Sequence, residues 1–141
     1  NSPSFDNAPY ADKVFHPQGG GLSYQIADTS IFPATTVPAS GWYINGETNI
    51  EWTPSSENDV MLVAYGISQS ICENLNKKIK DDTTIPALTG TFKNILLSTE
   101  DGGGGDVLDT TSCAACDGYP ALCVSDAGAT IFAYYNIILA Q

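Results

Sequence analysis

Basic side chains are scarce in this chain of 141 residues: five Lys and Arg stand against sixteen Asp and Glu, a net charge of −11. Nucleic-acid phosphates and anionic membrane surfaces are bound through Lys and Arg, so both are poor partners. Histidine occurs once, at His16, between Phe15 and Pro17. There is no Gly-x-Ser-x-Gly elbow and no Gly-Lys-Ser/Thr phosphate loop. A lone His without a partner motif reads as structural, and the chain is expected not to be an enzyme. No window is apolar for long enough to span a bilayer. No basic segment followed by an apolar one opens the sequence, which therefore looks like a mature or trimmed chain. Internal repeats and linkers are also missing, which leaves a single domain over 1–141.

The acidity that remains serves solubility, or a cation such as Ca²⁺. Thirteen Gly and eight Pro cluster in loops and point to a loop-rich β architecture. The cysteines are four: Cys72, Cys113, Cys116 and Cys123. An even count fits two disulfides in an oxidising compartment. Zinc fits less well, because the intervening lengths of forty, two and six residues supply one short knuckle where a ribbon carries two. Redox chemistry at Cys113-Ala-Ala-Cys116 is disfavoured by the adjacent Asp117, which raises a thiol pKa. Spacing alone leaves all three disulfide pairings open.

Along the chain, residues 1–40 read as extended, Gly- and Pro-rich chain draped on something else. GWYINGETNIEW, residues 41–52, holds an Asn-Gly pair between apolar runs, the strongest short hairpin signal. A two-residue turn at Asn45-Gly46 would oppose Ile44 to Glu47. The longer loop is favoured, because it opposes Ile44 to Ile50 and Trp42 to Trp52 on one face. Trp42 and Trp52 are then candidate ligand-binding residues, although a packed hairpin face explains them as well. DVMLVAYG, residues 59–66, predicts a buried strand. The stripe Ile67, Ile71, Leu75 and Ile79 predicts one short helix over about 68–80, with Cys72 on its core side and either Ser68 or Ser70 as N-cap. Lys77, Lys78 and Lys80 fall in its last turn, where cations suit the dipole. Residues 92–97, FKNILL, fit a strand or one helical turn. Residues 98–128 read mostly as loop. TIFAYYNIILA closes the chain as a strand that is apolar on both faces, so it needs cover on both, one of them helical.

Glu100, Asp101, Asp106 and Asp109 flank four glycines, Gly102 to Gly105, and are the weak Ca²⁺ candidates. The EF-hand spacing is absent, and a solvated acidic loop explains them too. No other cofactor is expected.

Several segments in order carry a resemblance. They are VFHPQGGGLSY (Val14 to Tyr24), GWYINGE, DVMLVAYGISQSICENLNKKI (Asp59 to Ile79) with its I-C-E-x-x-N, and LCVSDAGATIFAYYNIILA (Leu122 to Ala140). Together they resemble the C-terminal head of bacterial type IV pilin-like proteins and pseudopilins, over about two-thirds of the chain. The resemblance implies an α+β head, a helix packed on an antiparallel β-sheet. It also implies an extracytoplasmic filament subunit, in the periplasm, the fimbrium or on the cell surface, whose partners are other pilin or pseudopilin subunits. It pairs Cys72 with Cys123, leaving Cys113 with Cys116. The family's long apolar N-terminal helix has no counterpart here, so any membrane link is expected only through that helix. The alternative class is a secreted Ca²⁺- or carbohydrate-binding β module.

Overall fold

The computed structural model describes residues 28–33, 36, 39–90, 92–97 and 107–140. The Val14–Tyr24 segment, His16 and the glycine run with Glu100, Asp101 and Asp106 lie outside them. The elements are β1 (Gly41–Ile50), β2 (Asp59–Ile67), α1 (Gln69–Lys80), α2 (Phe92–Leu97), β3 (Val107–Leu108), α3 (Thr110–Cys113), a short 3₁₀ turn (Ala114–Cys116), β4 (Ala121–Ser125) and β5 (Phe132–Leu139). Together they form an α+β fold on one five-stranded sheet of order β3-β1-β2-β5-β4. The sheet is mixed and not wholly antiparallel, because β3 joins β1 in parallel. No helix among the described residues is long and apolar enough to cross a membrane.

The order explains why β2 and β5 are apolar on both faces: each lies inside the sheet, with a core on either side. Met61, Val63 and Tyr65 of β2 and Ala133 and Tyr135 of β5 point into the larger core, with α2, Leu108 and Cys116. Ala64, Ile67, Phe132 and Tyr134 point the other way, toward Cys72, Ile71 and Leu75 of α1. The helical cover expected for the last strand is therefore present over its first half.

The expected hairpin is not there. β1 runs straight through Asn45 and Gly46, and neither has the positive φ that a tight Asn-Gly turn needs. Ile44 faces Leu62 and Trp42 faces Ala64, both on β2. What holds Asn45 is its buried side chain. Its amide donates to Thr48 Oγ1 at 2.9 Å and to the Ile95 carbonyl at 3.1 Å. Its oxygen accepts the Glu47 N–H at 2.9 Å. Thr48 Oγ1 in turn donates to the same Ile95 carbonyl at 2.7 Å. The pairs Asn45–Met61 and Thr48–Asp59 show one extra residue on β1, a β-bulge. The bulge changes which residues face the larger core, from odd positions before it to Thr48 and Ile50 after it. The real turn is residues 51–58, closed by buried Asp59, whose Oδ2 accepts from Ile50 N–H and Thr53 Oγ1 at 3.0 Å each.

α1 begins at Ser68, not Ser70; the Ser68 hydroxyl accepts the Ile71 N–H at 3.3 Å. Its last turn carries Lys77, Lys78 and Lys80, as the dipole favours. FKNILL is a helix. The stretch expected to be mostly loop contains β3, α3 and β4. β4 is too short for periodicity to reveal, and α3 exists because Asp109 caps it.

Gly66 interrupts β2 where its pairing with β5 shifts register, at φ +78. A Cβ there would run into the Ser40 side chain. Gly66→Ala therefore suffers both backbone strain and a clash, at an expected cost of about 2 kcal/mol. Chemical denaturation should show a lower midpoint with an unchanged slope.

Candidate functional site

One sheet face is only partly covered. α1 packs chiefly on β4 and β5. Phe32 extends that cover as far as Trp42, its ring edge-on at 5.8 Å. Beyond them, no described element covers the face. Trp42 is 57% exposed, Ile44 73% and Ile138 52%. Register places Ile44 beside Leu62 and Leu62 beside Asn136. Trp42, Ala64 and Tyr134 form the next row. Val60 and its partner Leu139 continue the shelf toward the end of β5, where a register shift leaves the exposed Ile138 beside them without a partner in the register. Asn136 is the polar member of these rows and none of them is charged, so water meets a largely apolar surface across three strands. A single exposed Ile needs no explanation, whereas a patch across three strands marks a place where something packs.

The two tryptophans are not brought together. Trp42 lies on the shelf. Trp52 packs against the larger core on the other side. Its Nε1 donates to the Tyr119 carbonyl at 3.2 Å, an oxygen that also accepts from Tyr135 Oη at 3.1 Å. Burial pushes the Tyr135 phenol above its ordinary pKa. With Trp52 anchored in this way, no platform of two indoles exists.

Of the Ca²⁺ candidates, only Asp109 lies among the described residues, and it is the α3 N-cap. Its Oδ1 accepts the Ser112 N–H at 2.6 Å, and Ser112 Oγ accepts the Asp109 N–H at 2.9 Å. Among the described residues, no group of three His, Cys, Asp or Glu is placed to hold a metal ion. The lysines at the end of α1 face acids: Lys77 bonds Asp81 at 2.7 Å and Lys80 lies 3.6 Å from Asp82.

The structure has the disulfides Cys72–Cys123 and Cys113–Cys116, each with Cα atoms 5.3 Å apart. The first joins α1 to β4. The second closes α3 and its 3₁₀ turn inside the larger core, so Cys113 and Cys116 are buried and bonded. One residue escaped sequence reasoning. Asn76, one turn after Cys72, is fully buried and uses its whole carboxamide. Its amide donates to the Cys123 carbonyl at 2.8 Å and the Thr84 carbonyl at 3.0 Å, and its oxygen accepts the Cys123 N–H at 2.8 Å. A polar residue four positions after a core-facing Cys was the available signal. The remaining outer edge of β4 is met by Pro86 and Leu88, which bond Ser125 at 2.9 and 2.8 Å.

Four aspartates are held below the ordinary carboxylate pKa. In Asp28, Asp82 and Asp109 the main cause is a hydrogen bond from a nearby backbone N–H, of Ser30, Thr84 and Ser112 respectively. In Asp126, burial alone would raise the value, but bonds from Ile131 and Thr130 together outweigh it. Such groups add stability above the unfolded-state pKa of about 3.9, and it is lost as pH falls through the lower folded values. The expected melting temperature is level from neutral pH to about 5 and falls below about 4. Melts across that range test this, and Asp126→Asn should flatten part of the fall.

No protein-family model, curated protein or solved structure matches this chain.

Proposed function

We propose that the chain is the head domain of a type IV pilin-like or pseudopilin filament subunit, exported to the periplasm or cell surface and working by packing against other subunits. The uncovered shelf of Trp42, Ile44, Leu62 and Ile138 carries this reading. A head on a filament has to bury one apolar face against neighbouring protein, and here the sheet offers one beside a helix already fixed covalently to it. Two disulfides fit an oxidising, extracytoplasmic compartment. The acidic surface adds solubility to a domain that displays apolar side chains.

The test is shearing. Surface filaments sheared from cells that express the gene should contain this chain by mass spectrometry, and Ile44→Asp with Ile138→Asp should remove it from them. Both residues are exposed, so the isolated double variant should melt within about 0.5 kcal/mol of the parent. Recovery of the parent chain only as free soluble protein would overturn the reading.

A further inference from the structure

A second surface feature lies at the other end of β5. Phe132 opens that strand and Ile138 nearly closes it, so the two places are about 20 Å apart. Here the first turns of α1, the loop after it, and the ends of β4 and β5 line an open cleft of about 280 Å³. Its apolar part is Phe132 and Ile85, both half-buried against the smaller core. Its polar part is Gln69, Glu73, Thr83, Thr84 and Ser125.

Ser125 lines this cleft, and no hydrogen bond of its hydroxyl is found among the described residues. Gln69 Nε2 donates to Glu73 Oε1 at 2.8 Å, which fixes two planar polar groups side by side. The second Glu73 carboxylate oxygen, the Gln69 amide oxygen and the Thr83 hydroxyl have no other side-chain partner among the described residues.

We propose that this cleft binds one neutral sugar ring. An aromatic ring beside paired carboxylate, carboxamide and hydroxyl groups suits a ligand that has an apolar C–H face and a rim of hydroxyls. The carboxylate accepts from sugar hydroxyls, and Ser125 completes a bond at the deep end. No basic residue lines the cleft, and Glu73 repels negative charge, so sialylated, sulfated and phosphorylated glycans are rejected. A lone carboxylate is too few ligands for Ca²⁺. The cleft is distinct from the apolar shelf, so a subunit packed through the shelf keeps it open. The proposal does not depend on the filament reading.

The probes are methyl glycosides of the common hexoses and N-acetylhexosamines, titrated into the disulfide-intact chain and followed by ¹H–¹⁵N shifts. At least one should bind with a dissociation constant of about 1–10 mM, the strength expected of one ring and a few hydrogen bonds. Its shifts should centre on Gln69, Glu73, Ser125 and Phe132, and sialyllactose should cause none there. Ser125→Ala and Glu73→Ala should each weaken binding by about five-fold with the melting temperature unchanged. No saturable shift from any glycoside at about 50 mM (roughly five times the weakest expected constant) would overturn the proposal. So would full binding by both variants, or stronger binding of the sialylated sugar.

Discussion

Replacing Cys72 and Cys123 together by Ser should lower the unfolding free energy by about 4 kcal/mol. The bond spans 51 positions of sequence, so it removes a large loop's worth of freedom from the unfolded chain. A domain of ordinary stability has about 5–15 kcal/mol in total, so this one change takes it close to the threshold of folding. Cys113–Cys116 spans three positions, and the same reasoning gives only about 2 kcal/mol for its removal. Guanidinium titration of the two double-Ser variants separates these values, and the slope should rise more for the Cys72 and Cys123 variant, whose unfolded chain is freed more. The long-range pair should show the larger loss. The reverse order would mean that packing of Cys113 and Cys116 in the larger core outweighs loop closure.

Asn76→Ala should cost about 3 kcal/mol through lost hydrogen bonds. It strands the buried Cys123 N–H and C=O and also removes a part-buried bond to the Thr84 carbonyl. Asn76→Asp should also destabilise, since a carboxylate accepts the Cys123 N–H but cannot donate to the two carbonyls. Hydrogen exchange reads this at one atom: the Cys123 amide should lose protection in both variants, while amides at the centre of β2 keep theirs. Combining Asn76→Ala with Cys72→Ser and Cys123→Ser should cost less or more than the sum by at least about 0.5 kcal/mol, because both changes act on one junction. Strict additivity would show that the two ties are independent.

Periodicity made part of this fold legible. The helical stripe from Ile67 to Ile79 located α1 to within a residue, and the continuous apolar runs located β2 and β5. These signals are local and repeated, so they survive the loss of tertiary information. Asn45-Gly46 misled because its local chemistry fits a turn equally well. Only Thr48 and the Ile95 carbonyl, the latter fifty positions away, turn it into a bulge. β4 has five residues, too few for a pattern. The shelf was half visible, as a closing strand apolar on both faces, but where α1 stops covering it is a matter of placement. The cleft was not visible at all. Gln69, Ser125 and Phe132 meet there only because β4 and β5 pair and α1 crosses them.

Asn76 holds Cys123 by its backbone, so its grip does not depend on the oxidation state of the sulfur. Cys72 is one turn earlier on the same side of α1. Whenever the carboxamide clamp is in place, the two thiols already stand at bonding range. The clamp thus acts as a sorting device for four thiols that could combine in three ways. Where it forms ahead of oxidation, it favours Cys123 as the partner of Cys72 and leaves the neighbouring Cys113 and Cys116 to each other. An Asn76 variant should accordingly accumulate mispaired isomers during oxidative refolding, a failure of choice as well as of strength.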